Sequence, residues 1–509
     1  MQRRTLAKGF LTAAAAAFGS HAIAKEAIPN FKWEEETDVL IAGFGGAGAA
    51  AAIEAHDAGA KVLILEKLEA GGGNTSVSAG GIMIPKNKEE AYEYLTKTFE
   101  YAGSEMDQEL LRTFVDQIVE QRGFLLGMAE GSRMGRYGGA GFPTLPHADT
   151  IDKYTFMWKE LSAGPALFAM YHNAVVNLRK IPVRYNTPAV RLIVDGGRVV
   201  GIQAGKEGAL KNYRAKKAVI LACGGYEYSS EMLSNFAKGM KIHALGCPGN
   251  TGDGIKMAQA VGAKIWHMTA YSCPLGTIVP GKNAVASCNM PASGFWVDQD
   301  GRRFVNEKSI DTHTCLYAVD LFDPIKHRYP RIPAYLVFDE KALKAGPVAG
   351  GITGWLGYRE GYVWSKDNSV ELKAGLIKSG RTPEELARAI GIDAEGLTAT
   401  VAEWNKGVAT GKDALGRPMK NAKGAVLSAP LEGTLYAIEL VPSLLNTQGG
   451  PRRNVKGQVL NAYGEVIPGL YVAGEMGSMW GHIYQGACNN AEALVFGRLA
   501  GRAAAAEKA

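Results

Sequence analysis

Four glycines and a carboxylate near the start of the chain have the types and spacing that bind a dinucleotide. Residues 43–48 read G-F-G-G-A-G, which matches G-x-G-x-x-G, and Glu66 follows 23 residues after the first glycine. Gly43 allows a tight turn, Gly45 lets the backbone approach a pyrophosphate, and Gly48 lets a helix pack on a strand. A carboxylate at Glu66 can accept hydrogen bonds from a ribose. The pattern therefore predicts dinucleotide binding.

The segments around these residues predict a βαβ unit. Residues 37–42 are a short apolar run that ends in glycine, which is typical of a buried parallel strand. Residues 49–58 are rich in small side chains and predict a helix, and residues 61–65 predict a second strand. The N-terminus of such a helix presents N–H groups and a positive dipole end to phosphates. The fold class that follows is α/β.

A second cluster of glycine and hydroxyl residues, at positions 71–81, favours FAD over NAD. A nicotinamide-binding domain does not need this cluster. An isoalloxazine ring that lies against the chain needs N–H and O–H donors there. The alternative is a mobile Gly/Ser loop, but an apolar pattern resumes at once in residues 82–84. We therefore expect FAD.

Six different motifs occur along about 430 residues of the chain. They are residues 43–48, 72–81, 222–225, 251–254, 303–307 and 469–475. In this order they resemble the fumarate reductase/succinate dehydrogenase flavoprotein family, in the branch that includes 3-ketosteroid dehydrogenases. The resemblance implies bound FAD and a Rossmann-like FAD-binding domain with an inserted, smaller α+β capping domain. It implies an FAD-binding domain built from residues 30–265 and 430–509, with the cap at 266–429.

The resemblance also implies which residues contact FAD. The backbone of the strand at Val190 would meet the adenine, and the carboxylate of Glu475 would hold the ribityl hydroxyls. A helix from about 489 to 502 would point its N-terminus at the flavin, where its dipole stabilises negative charge. The full predicted set is Gly43, Gly45, Gly46, Gly48, Glu66, Lys67, Gly73, Asn74, Thr75, Ser78, Gly80, Gly81, Val190, Gly224, Asp253, Glu475, Asn490 and Ala491.

Asn74 predicts how FAD is attached. The family often links FAD covalently through a histidine in a Ser-His-Thr segment, and this chain has Asn74 at the matching position, before Thr75. An asparagine side chain has no nucleophilic nitrogen of that kind. We therefore expect noncovalent FAD.

Three positions argue against a small dicarboxylate substrate such as fumarate. Asp311 stands where the family has the arginine that acts as the proton donor. Gly486 stands where the family has an arginine that holds the substrate, and Asn446 stands where it has a histidine. Each change removes a group that grips a carboxylate. Fumarate and succinate are accordingly expected to be poor substrates.

Residues 481–486, which read G-H-I-Y-Q-G, resemble the ketosteroid dehydrogenases instead. In that family the tyrosine hydroxyl grips a carbonyl oxygen and stabilises an enolate. Tyr484 is therefore the first catalytic candidate, followed by His482 and Asp311. The alternatives are that Tyr484 only packs, that His482 only supports the tyrosine, and that Asp311 is a solvated carboxylate of the cap.

Composition excludes several other classes of protein. The chain has 509 residues, 56 Lys and Arg against 50 Asp and Glu, and a net charge of +6, without a basic stripe that alternates with aromatics. We expect no nucleic-acid partner. The six cysteines never form C-x-x-C, which argues against c-type haem and the usual metal sites, so no metal is expected. No apolar run reaches the ~18 residues of a membrane span.

Residues 1–24 predict a signal peptide. Arg3, Arg4 and Lys8 precede an apolar stretch, and Ala22 to Ala24 fit a cleavage site for small residues. The adjacent arginines indicate the twin-arginine type, which exports folded proteins, although an ordinary secretory signal remains the alternative. The expected location is the periplasm, or otherwise outside the cell.

Three functions remain open on the sequence. The first is an exported reductase of a C=C bond conjugated to a carbonyl or carboxylate, supplied with electrons by a separate c-type cytochrome or quinone-linked carrier. The second is a 3-ketosteroid-type dehydrogenase that introduces a C=C bond next to a ketone. The third is a flavin-binding protein without catalysis. The leader favours the first, and residues 481–486 favour the second.

Overall fold

The structure is a computed structural model that describes residues 32–282, 285–350 and 354–508. The predicted signal peptide at 1–24 lies outside the described residues. Among those described, no helix has both the length and the apolar character needed to cross a bilayer.

The main sheet is the framework that the sequence predicts. Its central strands run parallel in the order 466–472, 211–221, 33–42, 62–65 and 183–184. Its strands within the described chain are Trp33–Ala42, Val62–Leu65, Val183–Arg184, Ala189–Asp195, Arg198–Ala204, Lys211–Leu221, Gln458–Leu460 and Val466–Val472. Two strands flank the helix Gly46–Asp57, so the βαβ unit is confirmed, with the helix starting three residues earlier than predicted.

Small residues let two helices beside this sheet pack closely against each other. A Cβ at Gly497 would lie 2.7 Å from the carbonyl oxygen of Ala47, and one at Gly501 would lie 2.3 Å from that of Ala51. The helix Cys488–Ala506 can therefore approach the helix Gly46–Asp57 backbone to backbone. This contact holds the N-termini of both helices beside the carboxyl ends of the parallel strands, where ligands bind in such sheets.

A second sheet is built mainly from the segment that is predicted to form the cap. Its described strands are His243–Ala244, Leu275–Ile278, Val285–Ser287, Gly294–Val297, Ala334–Asp339, Ile377–Gly380 and Leu435–Leu444. The strand Leu435–Leu444 pairs with Ala334–Asp339 and Ile377–Gly380, so the chain returns to the main sheet only at Gln458. The division of the chain into domains at 265/266 and 429/430 stays a prediction, whereas the α/β fold class is confirmed by the sheets and the helices beside them.

The remaining described strands form three smaller sheets. One contains Gly81–Pro85, Arg133–Gly138, Ile151–Trp158 and Leu161–Ser162. Two further pairs are Ile265–Trp266 with Gly450–Pro451, and Tyr271–Ser272 with Asn446–Thr447. The latter pairs tie the cap to the last part of the chain.

The described helices are Gly46–Asp57, Gly73–Val77, Lys88–Ala102, Gln108–Ile118, Gln121–Gly127, Ala163–His172, Ser230–Phe236, Asp253–Ala260, Leu316–Val319, Glu340–Lys344, Gly354–Tyr358, Ser369–Lys373, Pro383–Ile390, Ala394–Thr410 and Cys488–Ala506. A π-helix spans Asn173–Leu178, and 3₁₀ turns span Ala148–Thr150 and Thr312–Thr314. The helix Cys488–Ala506 is longer at both ends than the predicted 489–502.

Candidate active site

One cavity of about 450 Å³ brings most of the predicted cofactor residues together. Those in its wall are Gly43, Gly45, Gly46, Glu66, Lys67, Gly73, Asn74, Thr75, Ser78, Gly81, Gly224, Asp253, Glu475 and Asn490. They come from widely separated parts of the chain, and the parallel main sheet brings them together. The cavity continues to residues of the cap and to Tyr484.

The glycine turn is built to leave backbone open to a ligand. A Cβ at Gly43, whose φ is +101°, would lie 2.3 Å from the carbonyl oxygen of Ala222, and one at Gly48 would lie 2.0 Å from that of Gly43. These two glycines therefore serve close packing. Around Gly45 the nearest heavy atom to such a Cβ is 3.8 Å away, so this position has free space in front of the helix N-terminus. That space suits a pyrophosphate.

Glu66 is held at the ribose end of the cavity by backbone donors. The N–H groups of Phe44 and Leu68 each donate to one of its carboxylate oxygens at 2.8 Å. Burial raises the pKa of Glu66, although these bonds oppose the shift. Next to it, Lys67 donates to Asp253 at 2.8 Å, which holds the turn before the helix Asp253–Ala260.

Asn74 links two buried carboxyl groups in the middle of the cavity. Its Nδ2 donates to Glu227 at 2.7 Å and to Glu475 at 2.8 Å, while its Oδ1 accepts from the backbone N–H of Cys247. Burial raises the pKa of both carboxyls, that of Glu227 to about 7, and the neighbouring Glu227 adds to the shift of Glu475. The sequence analysis missed Glu227, although it lies only two residues after the predicted motif at 222–225.

This donor and acceptor set fits FAD. The open turn at Gly45 suits the phosphates, and the carboxyls of Glu66 and Glu475 suit the ribose and ribityl hydroxyls. Glu475 lies in the cavity wall, and its carboxyl interacts with that of the buried Glu227. Asn489 and Asn490, the second and third residues of the helix Cys488–Ala506, also lie in the wall, so the positive end of this helix is next to the cavity.

Four predicted cofactor residues lie outside the cavity wall. Gly48 packs on Gly43, as described above. Gly80 has a φ of +63° and contacts the backbone of Ala163, while Ala491 is buried inside its helix. Val190 is 47% exposed, and its neighbour Ala189 lines the cavity instead. Their contact with FAD stays a prediction.

Tyr484 lies in the wall at the far end of the cavity and is 4% exposed. Its hydroxyl oxygen accepts a hydrogen bond from the backbone N–H of Asn489 at 2.9 Å. Burial raises the pKa of the Tyr484 phenol well above its ordinary value, so the group stays neutral. Its proton therefore remains available for a carbonyl oxygen.

Asp311 does not face solvent but holds a histidine that the sequence analysis missed. Its Oδ1 accepts from Nδ1 of His313 at 2.7 Å and from the His313 backbone N–H at 3.0 Å. Burial would raise the pKa of Asp311, but the bonds and charge of His313 outweigh it and lower that pKa. His313 lines the cavity, and its ring stands edge-on to Tyr484. The i, i+2 spacing of Asp311 and His313 was the available signal.

The structure does not bring His482 into the cavity wall. Its Nε2 lies 3.1 Å from Oγ1 of Thr269, and its ring faces Tyr317. Burial lowers the pKa of His482, and the charge of Lys238 adds to that shift. A catalytic role for His482 stays a prediction that this position does not support.

Two further residues in the wall were absent from the sequence prediction. Tyr137 and Lys153 come from neighbouring strands of the sheet that contains Gly81–Pro85. With His313 and Tyr484 they make up what we call the substrate end of the cavity.

Comparison with known proteins identifies the family. The family model described as "FAD binding domain" matches residues 38–490. The chain belongs to this family. It is 30% identical to "Fumarate reductase (cytochrome)" of Shewanella frigidimarina over 92% of this chain and 77% of that protein. It is 27% identical to "3-oxosteroid 1-dehydrogenase" of Mycolicibacterium smegmatis, over 92% of this chain and 96% of the other.

The fold of this family member also matches a solved structure. The 3-ketosteroid Δ1-dehydrogenase of Sterolibacterium denitrificans superposes with a TM-score of 0.80 at 22% identity, covering 93% of this chain and 100% of that one. The protein is an FAD-dependent oxidoreductase that acts on CH–CH groups. This finding sets aside the alternative of a flavin-binding protein without catalysis.

Proposed function

We propose that the protein is an exported reductase of C=C bonds conjugated to a carbonyl or carboxylate. Two electrons and two protons are added across the double bond, which becomes a CH–CH single bond. A separate carrier, such as a c-type cytochrome or a quinone-linked protein, supplies the electrons.

The observation that carries the proposal is the Asp311–His313 pair beside Tyr484 at the substrate end. A conjugated alkene needs a hydrogen-bond donor at its carbonyl oxygen and a proton donor at the carbon next to that carbonyl. Tyr484, neutral and fixed by the N–H of Asn489, meets the first need. His313 meets the second, because its Nε2 has no hydrogen-bond partner among the described residues and lies beside the same cavity.

Each residue has a defined task in this scheme. Bound FAD supplies the two-electron chemistry. Tyr484 donates its proton in a hydrogen bond to the oxygen on which negative charge grows. Asp311 accepts the Nδ1–H hydrogen bond and so holds the ring of His313 with Nε2 toward the substrate. His313 acts as the imidazolium, which transfers its Nε2 proton to carbon and becomes the neutral imidazole.

Export and the separate carrier are supported by the sequence. The leader at 1–24, with Arg3 and Arg4, favours transport of the folded protein. Soluble nicotinamide cofactors are scarce outside the inner membrane, and no C-x-x-C-H segment exists to hold a c-type haem in this chain. Electrons would therefore come from another protein.

A 3-ketosteroid-type dehydrogenase remains the second candidate. Tyr484, in the G-H-I-Y-Q-G segment, can polarise a ketone equally well when a C=C bond is being introduced. In that direction His313 would remove a proton rather than donate one. The two candidates differ in whether the reduced or the oxidised enzyme reacts.

The test is an anaerobic assay of both directions with the purified holoprotein. One arm supplies reduced methyl viologen and measures its oxidation by enones, enoates and steroid enones. The other arm supplies saturated ketones, including steroids, with a dye acceptor. A faster turnover in the first arm than in the second supports the proposal. Turnover confined to the second arm would replace it with the dehydrogenase, and free FAD serves as the control for both.

A further inference from the structure

Lys153 places a positive charge at the substrate end of the cavity. It lies in the strand Ile151–Trp158, where its backbone pairs with Met83 on one side and Gly138 on the other. A Cβ at Gly138 would lie 3.1 Å from Cε of Lys153, so the glycine leaves room for the lysine chain to cross the neighbouring strand. Nζ of Lys153 then lies 5.9 Å from the ring centroid of Tyr137.

This charge has no carboxylate partner in the part of the chain that the structure describes. The two nearby acids are engaged elsewhere, because Asp152 pairs with Arg136 at 2.6 Å and Asp311 pairs with His313 at 2.7 Å. Lys153 itself forms no ion pair there, although its charge adds slightly to the effect of His313 on the pKa of Asp311, against burial.

The other lysine in the described cavity wall is already neutralised. Lys67 donates to Asp253 at 2.8 Å and to Thr251, at the opposite, nucleotide end. An anionic group entering the substrate end therefore meets one unpaired cation, Lys153.

We propose that Lys153 binds the carboxylate of the substrate, so that the substrates are α,β-unsaturated monocarboxylates. This inference rests on the proposed function and deepens it. One ammonium group matches one carboxylate, and Tyr484 can hold the second oxygen while His313 delivers its proton to the adjacent carbon. Lys153 is thus a residue that determines specificity between acids and neutral ketones.

The test compares an acid and a neutral ketone of the same shape. Cinnamate and benzylideneacetone share the aryl alkene and differ in carrying a carboxylate or a methyl ketone. In Lys153→Met we expect kcat/KM for cinnamate to fall about 10- to 100-fold, the range for a lost charged hydrogen bond, with the loss mainly in KM. The value for benzylideneacetone should change less than about threefold, and Lys153→Arg should recover most of the cinnamate activity.

A matched control and a binding measurement complete the design. Lys341 is exposed on the short helix Glu340–Lys344, so Lys341→Met should behave as wild type. Binding of the saturated acid 3-phenylpropanoate, followed by the change in flavin absorbance, should weaken 10- to 100-fold in Lys153→Met and should weaken with added salt only when Lys153 is present.

The outcomes separate this inference from the proposed function. The role of Lys153 would be overturned if Lys153→Met lowered kcat/KM equally for the acid and the ketone, or if it left kcat/KM for the acid unchanged. If neither compound is reduced by any variant, the proposed function fails. The binding of 3-phenylpropanoate then still decides the inference, since unchanged affinity in Lys153→Met contradicts it. Fumarate should remain a poorer substrate than cinnamate, and the reverse order would contradict a monocarboxylate site.

Discussion

The imidazole of His313 stands edge-on to the phenol ring of Tyr484, with ring centroids 5.2 Å apart and planes at 81°. Gly486 makes this approach possible, because a Cβ there would lie 2.6 Å from Cε1 of His313. The glycine that replaces an expected arginine therefore creates room for the histidine. An imidazole and a phenol hydroxyl thus share one wall of the cavity.

The first prediction concerns His313. In His313→Gln the side chain keeps polarity and approximate size but cannot transfer a proton to carbon. Steady-state turnover of the best conjugated alkene should fall about 10²- to 10⁴-fold, as expected for loss of a general acid. FAD content and melting temperature should change little.

The matched control for that change is His56→Gln. His56 is exposed near the end of the helix Gly46–Asp57, where it pairs with Asp57, and the variant should turn over as wild type. Asp311→Asn should give an intermediate loss, because it weakens the hold on Nδ1 without removing the ring. Wild-type turnover in His313→Gln would show that another group supplies the proton.

Tyr484→Phe tests the carbonyl donor. The change keeps the ring in place against His313 but removes the hydroxyl that faces the cavity. We expect turnover to drop about 10²- to 10³-fold while FAD stays bound, which is the effect of losing one oxyanion donor. Tyr463→Phe is the control, since Tyr463 is 90% exposed. Unchanged turnover in Tyr484→Phe would leave that residue a packing role.

Noncovalent FAD is expected from Asn74. Its amide is engaged with Glu227, Glu475 and Cys247, and it carries no nucleophile for the flavin. Precipitation of the holoprotein with acid should release all of the yellow colour, at one FAD per chain. Colour that remains with the washed pellet would refute this prediction.

The buried carboxyl of Glu227 predicts a dependence of stability on pH. Burial raises its pKa from 4.5 to about 7, so the folded state favours the protonated form. The stability it contributes is complete below pH 4.5 and is lost as the pH rises through about 7. The melting temperature of wild type relative to Glu227→Gln should therefore fall between pH 5 and pH 8, because the amide does not ionise.

Glu403→Gln is the control for that series. Glu403 is exposed on the helix Ala394–Thr410, so the difference between this variant and wild type should stay constant with pH. A constant difference for Glu227→Gln as well would mean that Glu227 titrates alike in the folded and unfolded chains.

The nucleotide half of the cavity could be predicted from the sequence because its signals are local. Gly43, Gly45 and Gly48 lie within six residues, and the turn geometry that they serve is fixed by nearby backbone.

The substrate end was harder to predict because its residues meet only through tertiary packing. Lys153 lies in the strand Ile151–Trp158 and His313 in the 3₁₀ turn Thr312–Thr314, and neither belongs to a motif. The room for each is created by a glycine elsewhere in the chain, Gly138 for Lys153 and Gly486 for His313. His482 shows that closeness in sequence can also mislead. It lies only two residues before Tyr484, but its side chain contacts Thr269. Proximity in sequence to Tyr484 did not place His482 in the cavity wall.

The most direct measurement is a single turnover of the reduced holoprotein. The protein is reduced anaerobically until its yellow colour disappears, and one equivalent of a conjugated alkene such as cinnamate or benzylideneacetone is added in a stopped-flow instrument. The account predicts that the colour returns, that one saturated product forms per FAD, and that the return is about 10²- to 10⁴-fold slower in His313→Gln. It is contradicted if no conjugated alkene restores the colour while a saturated ketone bleaches the oxidised protein.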